Sequence, residues 1–120
     1  LPRGTEHYPG IDEDPRTTFL CAYENGELIG CSTLQVDRRE GCKFRIRGMA
    51  VRSEHRNKGV GTKIVKGLQD FARSQGSGIW CNARIKAVPM YERCGFVIIS
   101  DLFEIEGIGL HHDMQWILSD

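Results

Sequence analysis

The sequence predicts an α/β (α+β) fold, a mixed sheet with helices on its faces, in the order ββ, β, α, β, α, β, β. Three observations lead to this prediction: β-rich runs flank an Asn-Gly pair, apolar residues recur at helical spacing in one long segment, and short apolar runs surround a second helical segment. With 120 residues and 40% apolar content, the chain is long enough for one domain with a modest core. We therefore assign residues 1–120 to a single domain.

The first part of the chain predicts an irregular segment followed by a hairpin. Residues 1–16 are rich in Pro, Gly and acids, a composition typical of loops. Residues 17–36 contain two strand-like runs on either side of Asn25-Gly26, the strongest short-range signal for a β-hairpin. Residues 37–42, DRREGC, then read as the turn into the next strand.

A third strand and a long helix follow. Residues 43–51 break their alternation at Gly48, which predicts a β-bulge that leaves backbone groups unpaired. From Val60 to Ser74 the apolar residues recur every three or four positions, the period of an amphipathic helix, and Gly76 ends it.

The last third of the chain predicts a short helix among strands. Residues 86–94 form the helix, with Pro89 tolerated because it lies in the first turn and Gly95 as its C-terminal cap. The predicted strands are residues 78–82, 96–100 and 112–118.

Composition narrows the possible functions. The formal net charge is zero, which argues against a nucleic-acid or membrane-surface binder. No apolar run approaches the roughly 20 residues that span a bilayer, so we expect a cytoplasmic protein. The five cysteines form an odd set without CxxC spacing, which argues against a disulfide framework and a zinc site. We expect reduced, mostly buried thiols and no metal.

The charge is nevertheless unevenly distributed. Ten Lys or Arg residues lie between Arg38 and Lys66, against two acids, Glu40 and Glu54. Two interpretations stay open at this point: a solvated mixed surface, or a site for a compact polyanion.

The segment RNKGVGT, residues 56–62, favours the second interpretation. It lacks the third glycine of a Rossmann fingerprint and the Lys that directly follows the last glycine of a Walker loop. What remains is Gly59-x-Gly61 at the start of a long helix, where backbone N–H groups are unpaired and the helix dipole favours an anion. Arg56 and Lys58 would add charge-assisted hydrogen bonds. An ordinary helix start is the alternative.

Two motifs together resemble the GNAT superfamily of N-acetyltransferases. The first is MAVRSEHRNKGVGTKIV, with Arg56, Gly59 and Gly61 in the pattern Arg or Gln, two residues, Gly, one residue, Gly or Ala. The second is NARIKAVPMYERCGF, with Ala87, Tyr91, Gly95 and Phe96 in register. The resemblance covers about residues 17–118, and its tail is similar to bacterial small-protein members. It implies a mostly antiparallel sheet whose central strand is bulged and splays from its neighbour.

The resemblance also implies acetyl-CoA as co-substrate. Its pyrophosphate would bind the backbone N–H groups of residues 57–62, and its pantetheine arm would pair with the strand edge that the bulge at Gly48 exposes. Asn82 would meet the arm from the other side of the splay. The implied cofactor-binding residues are Met49, Val51, Arg56, Asn57, Lys58, Gly59, Val60, Gly61, Thr62 and Asn82.

For the chemistry, the resemblance implies direct transfer to an amine in a ternary complex, without a covalent enzyme intermediate. The backbone N–H of Met49 or Val51 would stabilise the oxyanion, and Tyr91 would act as the acid for the departing sulfur. Members that acetylate histones carry a Glu general base at the position of Arg45, so the base stays open. The candidates are His111, His112 and a water chain, and His111 is also a candidate for contact with the acceptor.

Several alternatives stay open. A CoA-binding sensor or assembly module without catalysis is the main rival, and nucleotide binding is disfavoured because a Walker Lys and a metal-binding carboxylate pair are lacking. We expect a small-molecule or peptide amine as the acceptor. The acids outside the basic segment would suit a cationic acceptor, and solubility explains them equally well. A homodimer through the last strand is a further expectation. Members of the family normally begin with a further strand and one or two helices that wall the acceptor pocket, and little of this precedes Thr17. We therefore expect either that the chain is truncated at Leu1 or that a partner supplies the missing wall.

Overall fold

The computed structural model describes residues 14–118, which form seven β-strands and two α-helices. The strands are Thr18–Glu24 (β1), Glu27–Arg39 (β2), Cys42–Val51 (β3), Gly78–Arg84 (β4), Val97–Ile98 (β5), Phe103–Ile105 (β6) and Gly109–Trp116 (β7). The helices are Val60–Ser74 (α1) and Val88–Arg93 (α2). The predicted order of elements is confirmed, with β6 as an additional strand. The irregular segment predicted for residues 1–16 lies outside the described residues as far as residue 13.

One sheet contains all of these strands. Its order is β1-β2-β3-β4-β7-β5, and β6 also pairs with β7. β3 and β4 are parallel, and the other pairs are antiparallel. The parallel pair requires a crossover, which α1 provides. This confirms the mixed, mostly antiparallel sheet.

The first hairpin forms at the predicted turn. Asn25 and Gly26 have φ values of 52° and 81°, the left-handed pair that a type I′ turn requires. The prediction of a turn over residues 37–42 was wrong, because β2 continues to Arg39 and only Glu40 and Gly41 connect it to β3. The polar residues of this segment are typical of a loop, but salt bridges to residues of other strands accommodate them in the sheet.

Helix α1 has the predicted bounds, and its buried side determines where the core lies. Ile64, Val65 and Leu68 are almost completely buried against the sheet, and the helix contacts β1 to β4. Each such aliphatic side chain contributes about 1.5–3 kcal/mol of burial free energy. Helix α2 contacts α1 and β4, so both helices cover the same face of the sheet.

The C-terminal strands differ most from the prediction. The strand predicted for residues 96–100 is limited to Val97 and Ile98, and β7 begins at Gly109 instead of residue 112. β5 and β6 pair with successive parts of β7, so they form one interrupted edge. Between them, the Ser100 hydroxyl accepts a hydrogen bond of 2.7 Å from the backbone N–H of Asp113. This side-chain bond lies beside a backbone hydrogen bond of 2.9 Å from the Ile99 N–H to the Asp113 carbonyl, and local periodicity does not reveal such a mixed pairing.

Within residues 14–118, no helix combines the length and apolar character needed to cross a membrane.

Candidate functional site

The site begins at an irregularity in the central strand β3. Leu34 pairs with Ile46 and Ser32 pairs with Met49. Between these two pairs β3 has two residues where β2 has one. The extra residue confirms the bulge predicted at Gly48, and the hydroxyl of buried Ser32 donates a hydrogen bond to the Gly48 carbonyl. Because a bulge shifts the alternation by one, Met49 and the residues after it change faces.

The same strand separates from β4 beyond the bulge. The parallel register of β3 and β4 runs from Cys42 opposite Gly78 to Ile46 opposite Cys81, and within the described residues it extends no further. On their outer sides, both strands continue in register with β2 and β7. The inner backbone edges after Ile46 and Cys81 therefore border an opening between the strands. The splay predicted for the central strand is confirmed.

A basic loop connects the splayed strand to α1. A 3₁₀ turn at Ser53–His55 is followed by Asn57 and Gly59, whose φ values of 62° and 82° turn the chain into the helix. The side chains of Arg56 and Lys58 are exposed, and the Arg56 guanidinium Nε donates to the Val51 carbonyl at 3.2 Å. In the part of the chain that the structure describes, neither cation forms a salt bridge.

The N-terminus of α1 has free backbone donors. The helical hydrogen bonds begin with the N–H of Lys63 to the Gly59 carbonyl at 3.1 Å, so the preceding N–H groups have no partner within the helix. Gly59 is the N-cap, which provides no side chain to cap them, and the first turn contains no acid. A Cβ built on Gly61 would lie 3.7 Å from the Met49 sulfur, so the first turn adjoins the bulged strand. The N–H groups of this turn that have no helical partner and the splayed edge therefore lie next to each other.

Tyr91 lies on α2 inside the core beside this opening. Its residue is 6% exposed, and its ring packs edge-on against Phe96 with centroids 5.2 Å apart. Burial raises the pKa of Tyr91 well above its usual value, and Cys81 and Cys94 add to the rise. The hydroxyl lies close enough to the Cys81 thiol for the two groups to interact electrostatically, and Cys81 is the last β4 residue in register with β3. The Tyr91 hydroxyl therefore lies where the strands separate, and it keeps its proton at neutral pH.

Cys81 does not have the properties of a nucleophile. It is 2% exposed, and burial raises the pKa of its thiol to about 12. The thiolate is the reactive form of cysteine, and it is not populated at neutral pH with such a pKa.

Asn82 belongs to a polar network on the face of the sheet opposite the helices. Its side-chain oxygen accepts a hydrogen bond from Arg45, and its amide nitrogen donates to Asp113 at 2.5 Å. Arg39 pairs with Asp113 at 2.6 Å, and Arg45 pairs with Asp37 at 3.2 Å. Both ends of the Asn82 side chain are thus engaged, which leaves its backbone as the group beside the splay.

The network also accounts for Trp80 and for part of the basic segment. Trp80 is 8% exposed, its indole N–H donates to the Asp37 carbonyl at 2.7 Å, and the Arg39 and Arg45 guanidiniums lie 5.0 and 4.6 Å from its ring centroid. These two arginines are therefore structural. The interpretation of the whole basic segment as one polyanion site is too broad, since of this group Arg52, Arg56 and Lys58 lie on the loop and Arg52 pairs with Glu54.

The two candidate histidines of β7 have backbone partners. The His111 residue is 3% exposed, its Nδ1 lies 2.8 Å from the Gly109 carbonyl, and its ring stacks on Phe103 at 5.9 Å. His112 Nδ1 lies 3.1 Å from the Ser100 carbonyl. Contact of His111 with an acceptor stays a prediction. Among residues 14–118, no group of three or more His, Cys, Asp or Glu is arranged to hold a metal ion.

The sequence is similar to those of known acetyltransferases. The acetyltransferase (GNAT) family model matches residues 2–96. The chain is 33% identical over 97 residues to the uncharacterised N-acetyltransferase YitI of Bacillus subtilis, covering 77% of this chain and 65% of that protein. It is 31% identical over 97 residues to the streptothricin acetyltransferase of Streptomyces lavendulae, covering 78% of this chain and 50% of that protein. The matches thus span between 50% and 65% of these relatives' own length.

A solved structure shows the same fold. The putative streptothricin acetyltransferase from Bacillus anthracis, in complex with acetyl coenzyme A, has a TM-score of 0.73 at 19% identity. The similarity covers 89% of this chain and 65% of that one.

Proposed function

The chain belongs to the acetyltransferase (GNAT) family, and on that premise we propose that it transfers an acetyl group from acetyl-CoA directly to an amine. One observation carries the proposal: the bulge at Gly48 opens β3 from β4 directly beside the uncapped N-terminus of α1. This combination of an open strand edge and a cluster of unpaired N–H groups would fit an extended thioester arm that ends in a pyrophosphate.

The residues of the loop fit the pyrophosphate. The N–H groups of residues 57–62 would hold its oxygens, with Arg56 and Lys58 as the neighbouring cations. Hydrogen bonds that involve a charged group are worth about 1.5–3 kcal/mol each, so a few of them supply most of a micromolar affinity. The inner backbone edges of Met49, Val51 and Asn82 would hold the arm.

Two groups would serve the transfer step. The backbone N–H of Met49 or Val51 would donate to the acyl carbonyl oxygen as negative charge develops on it. Tyr91 would give a proton to the departing sulfur. Its raised pKa supports this role, because burial favours the neutral hydroxyl, which therefore persists above pH 10. We expect no loss of turnover from Tyr91 ionisation between pH 7 and 10, which a pH profile of kcat measures.

The acceptor would approach from the sheet face that carries the polar network. Arg45, at the position of the family's Glu base, has its guanidinium on Asp37 and Asn82 and offers no basic group. Deprotonation of the ammonium would then fall to a histidine of β7 or to water. A small-molecule amine is supported by the two streptothricin acetyltransferases among the similar proteins.

Replacing Tyr91 by Phe tests the proposal. The variant keeps the ring on Phe96 and removes only the hydroxyl, so acetyl-CoA should bind as in the wild type while kcat falls about 10²-fold or more. The measurements are calorimetric titration with acetyl-CoA and release of the CoA thiol with a panel of amines that includes streptothricin.

The rival functions give different results. Binding of acetyl-CoA without turnover on any amine would favour a CoA-binding module. Turnover that is unchanged in the variant would exclude Tyr91 as the acid. Competition of ATP with acetyl-CoA at equal affinity would favour nucleotide binding.

A further inference from the structure

Two cysteines lie side by side on the hairpin of β1 and β2. Cys21 on β1 and Cys31 on β2 are direct partners in the antiparallel register. Directly opposed residues point to the same side of a sheet. The neighbours of Cys21 on β1, Leu20 and Ala22, pack against the core, so both thiols lie on the face away from the helices.

The spacing of this pair suits a covalent bond. The Cα atoms of opposed residues in an antiparallel pair are about 4.5–5.5 Å apart. A disulfide spans Cα distances of about 4.4–6.8 Å. β1 is the edge strand of the sheet, and its register with β2 shifts just after Cys21, between Ala22 and Tyr23. This strand can therefore move the short distance that brings the two sulfurs into bonding contact.

The two thiols differ in exposure, which gives them different roles. Cys21 is exposed and Cys31 is half-buried. Burial raises the pKa of the Cys31 thiol and the charge of Cys21 adds to the rise, which also reflects how close the two groups are. An external reagent therefore reaches Cys21 first. Cys31 is the neighbouring thiol that can attack the mixed disulfide formed on Cys21.

We propose that Cys21 and Cys31 form a reactive dithiol site that takes low-molecular-weight disulfides and becomes an internal disulfide. The Cys21 thiolate attacks one sulfur of the reagent, forms a mixed disulfide and releases one thiol. Cys31 then loses its proton and attacks the Cys21 sulfur, which forms the internal bond and releases the second thiol. The reagent is reduced by the two electrons that the two cysteines give up.

The other three cysteines do not share this arrangement. Cys42 and Cys81 are 4% and 2% exposed on the core side, and Cys94 caps α2. The pair also shares no residue with the proposed acyl-transfer site, since it lies on β1 and β2. Cys31 is opposite Ala50, so the bond would form one strand away from Met49 and Val51.

The test is reaction of the reduced full chain, kept dilute, with oxidised glutathione, followed by alkylation, intact mass and peptide mapping. We expect a product that has lost two hydrogen atoms, with Cys21 linked to Cys31 and the other three cysteines alkylated after unfolding. In Cys31→Ser the reaction should stop at a glutathione adduct on Cys21. Because the second attack is intramolecular, the adduct in the wild type should be at least about tenfold less populated than in this variant.

The matched control is Cys94→Ser, which should form the same internal bond as the wild type. An adduct that persists equally in the wild type and in Cys31→Ser would overturn the proposal. Bonds to Cys94, or between two chains, would overturn it as well. None of these outcomes depends on acetyl-CoA, so the proposed function is tested separately.

Discussion

The two ends of α1 are finished in opposite ways. At its C-terminus, the N–H groups of Gly76 and Ser77 donate to the carbonyls of Arg73 and Ala72, both at 3.0 Å, which is the pairing of a Schellman motif. At its N-terminus, Gly59 provides no side-chain cap and the first turn has no acid. At the C-terminal end, which we call the closed end, Gly76 thus allows the helix carbonyls to be bonded within the chain. At the N-terminal end, which we call the open end, Gly59 leaves the N–H groups without a capping side chain.

Changes at the two ends of α1 should affect different properties, namely the stability of the fold at one end and the binding of an anion at the other. Unsatisfied groups at a helix end require a partner, which is either the protein itself, water or a ligand. The C-terminal carbonyls are bonded within the chain, so changes there should lower the free energy of unfolding. The N-terminal donors lie next to two exposed cations, so changes there should lower the affinity for an anion.

The largest effect is expected for Gly61→Glu at the open end. The new carboxylate would occupy the anion site, and loss of two charge-assisted hydrogen bonds at about 1.5 kcal/mol each corresponds to at least a 100-fold weaker affinity for acetyl-CoA. An acid in the first turn is favourable for a helix, so the melting temperature should not fall. Calorimetry and thermal unfolding measure the two quantities.

Gly61→Ala is the matched control for this change. Its Cβ would lie 3.7 Å from the Met49 sulfur, an ordinary contact, so both affinity and stability should stay close to wild type. If Gly61→Glu bound acetyl-CoA normally, the open helix end would not be the pyrophosphate site.

An intermediate effect is expected for Gly76→Ala at the closed end. Gly76 has a φ of 70°, and a Cβ added there would meet no atom within 4 Å. The cost is therefore backbone strain alone, about 1–2 kcal/mol of unfolding free energy. The affinity for acetyl-CoA should be unchanged. Denaturant unfolding with calorimetry on the same variant checks both.

Gly76→Asn distinguishes strain from other causes. Asn adopts the left-handed conformation more readily than Ala, so this variant should recover part of the lost stability. A weaker affinity for acetyl-CoA in either variant would contradict the view that the C-terminal end of α1 affects only stability.

The smallest effect is expected for Lys58→Ala in the loop. An exposed cation contributes little in water, so acetyl-CoA should bind about three- to tenfold more weakly, with a smaller loss of affinity on adding salt. Titrations at two salt concentrations measure this. Lys66→Ala, a change at an exposed position of α1 away from the loop, should leave both the affinity and its salt dependence as in the wild type. Equal effects of the two variants would indicate a general charge effect.

Local sequence predicted the elements that depend on neighbouring residues. The bounds of α1, the hairpin at Asn25-Gly26 and the bulge at Gly48 follow from periodicity and from glycine at particular positions. The family motif around Gly59 also lies in such a segment, because the positive φ of Gly59 at the start of α1 is a property of the local backbone. The position of the loop that opens α1 could therefore be predicted from the sequence.

The polar network could not be predicted in this way. Arg39 and Asp113 are separated by 74 positions, and Arg45 and Asn82 by 37. A charged residue in a strand pattern is equally compatible with a solvated surface, and its partner depends on which strands become neighbours. The basic segment looked like one site because the sequence does not show that two of its arginines pair with acids of other segments.

The sequence by itself determined the long helix, its glycine-opened start, the hairpin and the bulge, since each depends on contacts and backbone conformations within a few residues. Only the tertiary structure decided that the order β3-β4-β7 brings Arg45, Asn82 and Asp113 together, and that the Tyr91 hydroxyl lies at the fork of β3 and β4. The physical reason is that strand order is fixed by burying the apolar faces of the sheet and helices together, a property of the whole chain.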